Sequence, residues 1–162
     1  MKGRAEVYRR RAQLDQTFKR IDRIDTRELE LRSDFAKYLC VLLSGYCEKA
    51  IQELAMACCR RMAGGPVLNF ALARLDWSSN AHSETVLKLV SAFDASWGDD
   101  LQAFLTPERK EALNSVVGLR NVIAHGGHVT VSYAQIREYR DQVEEVIDHL
   151  CGVFDPVPPL RS

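Results

Sequence analysis

The amino-acid sequence predicts an all-helical, up-and-down bundle of five to seven helices, on three observations. Apolar residues recur at gaps of three, four and seven through most of the chain, clusters of turn-forming residues interrupt that rhythm, and no stretch sustains the alternation of a strand. At 162 residues, 46% hydrophobic and 27% charged, the chain suits one domain large enough to bury a core. The expected organisation is a single domain over residues 1–155 and a frayed, Pro-rich tail at 156–162.

The first helix is expected from about Ala5 to Ile24, where Val7, Leu14, Phe18, Ile21 and Ile24 recur at helical spacing within polar residues. Residues 1–32 carry ten Lys/Arg against six Asp/Glu, an excess of four that includes Arg9-Arg10-Arg11, and this reads as a solvated helix face rather than an RNA-binding stripe. A second helix is expected from near Thr26 to about Met62, ended by Gly64-Gly65-Pro66. Its middle, Tyr38 to Cys47, is apolar on nearly all sides, which suits a central helix or one buried in a dimer, and Glu48 places a carboxylate at the edge of that region.

Shorter helices are expected at Pro66–Leu75, Ser83–Phe93 and Asp99–Leu105. They are separated by the turn-rich stretches Asp76-Trp77-Ser78-Ser79-Asn80 and Trp97-Gly98-Asp99-Asp100. Trp77 and Trp97 flank loops and are expected to plug the ends of the bundle. Thr106-Pro107-Glu108 has the order of an N-cap, a first-turn proline and an early acid, so a helix begins there and runs to Ala124 or His125, stopped by Gly126-Gly127. The last helix spans about Ser132 to Phe154, with Ile136, Tyr139, Val143, Val146, Ile147 and Leu150 on one face.

Composition excludes several function classes. The 22 Lys+Arg balance 22 Asp+Glu, so net charge predicts no broad affinity for nucleic acid or anionic membrane. Cys40, Cys47, Cys58, Cys59 and Cys151 lie mostly in apolar helical stretches without metal-ligand spacing and read as reduced packing residues of a cytoplasmic protein. No apolar run approaches the ~20 residues that span a bilayer, and no apolar leader follows Met1. There is no Gly-rich phosphate loop, CxxC, HExxH or GxSxG; Asp99-Asp100 and Glu144-Glu145 each diverge on a helix, so no metal and no cofactor is expected.

Chemistry is therefore concentrated in Arg120-Asn121-Val122-Ile123-Ala124-His125-Gly126. On an ideal helix Asn121 and His125 lie about 40° apart on one face, while Arg120 sits about 140° from His125, toward the line of Leu113, Val117 and Ala124. An arginine on that side pairs with a carboxylate, for which Glu48 is the candidate, or emerges at a crevice or interface, because an unpaired buried guanidinium costs several kcal/mol. The plainer structural reading makes Arg120 an interior ion-pair anchor, Asn121 a surface residue and His125 a helix-end histidine near the C-terminal dipole.

The functional reading starts from what these groups do together. An imidazole, with an ordinary pKa near ~6.5, moves protons at neutral pH, and a guanidinium grips a phosphate in bidentate fashion. Cleavage of RNA through its own 2′-hydroxyl needs a base for that hydroxyl, an acid for the leaving 5′-oxygen and positive charge at the phosphorus, but no metal. The motif supplies one proton carrier; the second is either His128 or another copy of His125 brought in by a twofold dimer. Tyr133 and Tyr139 are candidates to stack on a base, Tyr139 falling on the apolar face of its helix. His82 and His149 have no partner at a diagnostic spacing.

Arg120-Asn121-x-x-x-His125 on the penultimate long helix resembles the signature of the HEPN superfamily, arginine followed after four to six residues by histidine. The run Phe35-Ala36-Lys37-Tyr38-Leu39-Cys40-Val41-Leu42-Leu43-Ser44-Gly45-Tyr46-Cys47-Glu48-Lys49 resembles the early long helix of small bacterial HEPN proteins of the RiboL-PSP type, so the likeness covers most of residues 30–152. The resemblance implies a bundle of HEPN type with additional short helices, dimerised through the motif helices. It also implies a metal-independent endoribonuclease acting as a toxin or in phage defence, or alternatively a noncatalytic module that binds nucleotides or proteins. By the same resemblance His125 is general acid or base, Arg120 the phosphate ligand, Asn121 an orienting group and Glu48 a support for Arg120. His128 and Tyr133 are possible substrate contacts. RNA and an antitoxin or regulatory protein are the implied partners.

Overall fold

The computed structural model describes residues 2–25, 27–75 and 80–155. These form seven helices and no strand: α1 Lys2–Asp22, α2 Leu29–Met62, α3 Gly65–Arg74, α4 Ser83–Phe93, α5 Ala95–Phe104, α6 Pro107–Ala124 and α7 Tyr133–Phe154. Thr26, Trp77 and residues 156–162 lie outside the described residues, and with them the helix start expected near Thr26, the plug expected of Trp77 and the tail. No described helix is long and apolar enough to cross a membrane.

Six of the helices match the sequence pattern to within a few residues; α5 does not. The stretch Trp97-Gly98-Asp99-Asp100, expected as a turn, lies inside α5. Asp94 starts that helix early by accepting a hydrogen bond from the Ser96 backbone N–H at 2.7 Å. Gly98 is there for close packing: a Cβ would lie 2.1 Å from Ser91 Oγ of α4. Trp97 stacks on Phe93 (6.4 Å between centroids) and meets Phe154 edge-on at 5.9 Å, so it fastens α5 to α4 and α7.

The four long helices run up and down. α1 lies antiparallel to α7, since Arg4 at its start donates to the Cys151 and Asp155 carbonyls at the far end of α7, both at 2.7 Å. α2 lies antiparallel to α1, with Arg11 bonded to Tyr46 Oη at 3.1 Å and the start of α1 reaching Ala57 near the end of α2. α2 runs parallel to α7, because Phe35 and Ala134 line one groove at their starts while Arg61 reaches the Phe154 carbonyl at their ends. α6, joined to α7 by a short loop and bridged to it by Arg109–Glu145, is antiparallel to both α7 and α2.

α2 is the axis of this arrangement. Ala36, Leu39, Cys40, Leu43, Ala50, Ile51, Leu54 and Ala55 are wholly buried in one continuous core with side chains of α1, α6 and α7. Each such large aliphatic side chain contributes roughly 1.5–3 kcal/mol by leaving water. At the core's edge Arg11 of α1 ties three helices, donating to Tyr46 Oη of α2 and to both Asp148 carboxylate oxygens of α7 at 2.8 and 3.1 Å. All five cysteines are unbridged and buried, and burial pushes the Cys40 and Cys151 thiols up to about 11 and the Cys47 thiol up to about 12.

Candidate active site

The motif occupies the last turn of α6, and local sequence fixes both ends of that helix. Thr106 caps the start by accepting from the Arg109 N–H at 3.4 Å. At the other end the Gly127 N–H reaches the Val122 carbonyl at 2.9 Å and the Gly126 N–H the Ile123 carbonyl at 3.1 Å, the paired bonds of a Schellman closure. Gly126 adopts φ 72°, the left-handed conformation that closure requires, and a Cβ on Gly127 would lie 2.5 Å from Val122 Cγ1. His125, at the cap, donates its backbone N–H to the Asn121 carbonyl at 3.2 Å and leaves its imidazole exposed. The two glycines thus hold the histidine at a defined helix end with its ring in solvent.

Arg120 is half-buried, as its azimuth predicts, but its guanidinium turns out of the apolar face. Its Nη1 donates to Asn121 Oδ1 at 3.0 Å, and no carboxylate of the described residues pairs with it. That bond brings Arg120 and Asn121 together and points the amide nitrogen of Asn121 away from the guanidinium. His125 stands one turn further on, on the same side as Asn121.

Glu48 is not brought to Arg120. Cys40 Sγ of α2 meets the Val116 carbonyl of α6 at 3.6 Å, which sets the register of two antiparallel helices. Glu48 lies two turns from that contact toward the start of α6, and Arg120 one turn from it toward the end, so about 18 Å of helix axis separates them. Glu48 instead sits half-buried with Oε1 unbonded. The expected Glu48–Arg120 pair does not form within the chain because facing residues are decided by helix register, which azimuth alone does not give.

His128 is exposed in the loop after the glycines. Tyr133, at the start of α7, is half-buried and committed: its hydroxyl donates to Asp22 Oδ1, and its ring lies 6.2 Å from that of Phe18. Burial, reinforced by the Asp22 carboxylate, pushes the Tyr133 phenol up to about 12, so it stays protonated. It borders a groove of about 570 Å³ at the same end of the bundle as the motif, lined also by Ile24, Leu29, Phe35 and Val131. Tyr139 packs partly buried against the core.

Other groups weighed from sequence take structural places. His149, without a partner by spacing, finds long-range ones: its ring stacks on Phe104 at 4.0 Å and its Nε2 lies 2.9 Å from Asp100 Oδ2. Glu145 pairs with Arg109 at 2.6 Å, and Glu144, half-buried, lies 3.6 Å from Arg140 Nε. Among the described residues no three His, Cys, Asp or Glu side chains converge in a way that could hold a metal ion. One feature escaped the sequence reading: a cavity of about 910 Å³ where α4, α5 and the first half of α6 meet, with Lys88, Lys110 and Asn114 on its walls. The available signal was that Lys110 and Asn114 share the helical line of Asn121 and His125.

Compared with known proteins, residues 5–155 match the family model described as RiboL-PSP-HEPN. No curated protein and no solved structure matches the chain.

Proposed function

The chain belongs to the RiboL-PSP-HEPN family, and from that membership and the geometry of its motif we propose that it is a metal-independent endoribonuclease of single-stranded RNA. It acts in the cytoplasm as a toxin or phage-defence effector, held in check by an antitoxin or regulatory partner protein. The observation that carries this reading is the state of Arg120: a guanidinium drawn out of the core to Asn121, unpaired with any described carboxylate, one turn before an exposed histidine. The arginines that serve the fold, such as Arg4 and Arg109, reach carbonyls or carboxylates of another helix, whereas Arg120 reaches only its neighbour in sequence.

In the proposed reaction the 2′-oxygen attacks the adjacent phosphorus as its proton passes to a base. The P–O5′ bond breaks as an acid protonates the leaving oxygen, giving a 2′,3′-cyclic phosphate and a 5′-hydroxyl. Arg120 binds the phosphate oxygens as charge gathers there, Asn121 orients the phosphate through its amide nitrogen, and His125 carries one of the two protons. A second His125 from a twofold-related copy carries the other. Self-association is supported by α2, which leaves Leu31, Tyr38 and Val41 exposed within an arc of about 80°.

The test is incubation of purified protein with labelled mixed-sequence RNA in excess EDTA, beside folded His125→Ala and Arg120→Ala variants. Cleavage by the wild type alone, with cyclic-phosphate ends, is the expected result. Intact RNA in every lane, together with measurable nucleotide binding, would assign the chain to the noncatalytic nucleotide-binding or protein-interaction branch instead.

A further inference from the structure

The cavity between α4, α5 and α6 has the furnishing of a nucleotide site. Leu87 and Leu105 form an apolar floor, and Gln102 and Asn114 supply amides. Asn114 Oδ1 accepts from the Ser83 backbone N–H at 2.9 Å, which fixes the amide and leaves its nitrogen to donate. Lys88 and Lys110 add two cations that pair with no carboxylate of the described residues; Glu84, also on the wall, offsets one of them.

This cavity is continuous in direction with the motif. On α6, at 100° per residue, Lys110, Asn114, Asn121 and His125 fall within an arc of about 60°. Between them, about 20° beyond His125, stands Gly118, where an added Cβ would meet nothing within 4 Å. No turn, close approach or positive φ requires a glycine there. Its effect is to leave a bare stretch of helix between the two polar groups. From Lys110 to His125 the axis runs about 22 Å, the reach of a single strand of roughly four to six nucleotides.

We propose that this cavity is a distal subsite of one RNA track along α6: Lys88 and Lys110 hold strand phosphates, and the amides of Asn114 and Gln102 meet a base, while the scissile phosphate lies at Arg120 and His125. The subsite rests on the ribonuclease reading and gives it a substrate of defined length, a single strand several nucleotides longer than the cut requires.

The test uses wild-type protein and uncleavable 2′-O-methyl oligonucleotides of 2 and 12 nucleotides, with binding followed by fluorescence anisotropy across a salt series. The Lys88→Ala/Lys110→Ala variant is expected to weaken 12-mer binding about tenfold and flatten the salt slope by about 1.4, at ~0.7 per lost contact to a single-strand phosphate. Binding of the dinucleotide, too short to span the track, is expected to stay unchanged. Gly118→Leu, which blocks the track and spares both ends, is expected to reproduce the length-selective loss. Lys88→Gln, at an exposed side chain outside the core, gives a smaller loss of the same kind and guards against misfolding of the double variant. Unchanged 12-mer affinity and salt slope in the lysine variants would overturn the subsite alone. Altered self-association of Gly118→Leu with unchanged RNA affinity would assign the face to a second copy of the chain and overturn it too. Failure of the wild type to bind either RNA would overturn the ribonuclease reading itself.

Discussion

Arg109 and Arg120 stand on the same helix and are used in opposite ways. Arg109 is held by three hydrogen bonds and a ring: Nε and Nη2 to Glu145 at 3.0 and 2.6 Å, Nη1 to the Phe104 carbonyl at 2.8 Å, and its guanidinium 3.9 Å over the Phe104 ring. Phe104 in turn stacks on His149, so one arginine fastens α5, α6 and α7. Arg120 has a single neutral partner, the amide oxygen of the next residue. The difference teaches that the fold holds one guanidinium from another helix and the other only through its neighbour in sequence, which is why the phosphate role is proposed for Arg120 and not for Arg109.

Exchanging each arginine for alanine is the sharpest way to break that comparison. Arg120→Ala is expected to lower RNA cleavage by about 10²–10³-fold, the loss that follows removal of a group binding transition-state charge, while shifting stability by no more than about 0.5 kcal/mol. Arg109→Ala is expected to do the reverse. It removes charge-assisted hydrogen bonds and a cation–π contact, costing about 2 kcal/mol and lowering Tm by roughly 4–8 °C, with cleavage by the folded fraction intact. Paired melts and cleavage rates check both; an Arg120→Ala protein that melts like Arg109→Ala would erase the distinction.

The helix end can be loosened without touching a charge. Gly127→Ala puts a methyl 2.5 Å from Val122 Cγ1 and 3.1 Å from the Val122 carbonyl, so the closure behind His125 must shift. The expected cost is about 1–2 kcal/mol, with a fall in cleavage rate that exceeds any loss of folded protein at the assay temperature. Chemical denaturation and single-turnover cleavage on the same sample separate the two effects.

A smaller effect comes from Glu144, beside Arg11 and Arg140. Burial holds its carboxyl above the ordinary value of 4.5, outweighing the attraction of Arg11 and, further down the order, of Arg140. The folded state therefore binds the proton more tightly than the unfolded one, and above that range the ionised carboxylate weakens the fold. Glu144→Gln is expected to stabilise the protein at pH 7 by less than about 1 kcal/mol and to lose that advantage as pH falls below 4.5, where the wild-type carboxyl becomes protonated in both states. Melts at the two pH values check the sign.

What was legible in the sequence was whatever local chemistry decides. Both ends of α6 were readable because Thr106 bonds three residues ahead and Gly126-Gly127 bond back to the turn just made. Ser132 likewise begins α7 with a reciprocal capping box to Gln135. The start of α5 was misread because Gly98 looks like a turn glycine, and its reason, the nearness of Ser91, belongs to another helix. For Arg120 the azimuth of the Cα was correct, but a long side chain ends where its head group finds a partner, and that was Asn121. Glu48 failed as its partner because periodicity gives the face of a residue and not its height, which the Cys40–Val116 contact sets. The cavity was hidden because α4 and α5 build two of its walls, although Lys110 and Asn114 already marked the third.

The five buried cysteines carry one more consequence. Four of the thiols are at most 2% exposed and Cys59 is 8% exposed, with thiolates suppressed by burial, so the native chain offers an alkylating reagent little to attack. Capture of the four needs an opened molecule, so its rate counts openings. The protein thus carries an internal gauge of its own integrity, one that ranks sequence variants by how often the bundle comes apart and needs no RNA, no dye and no knowledge of its target.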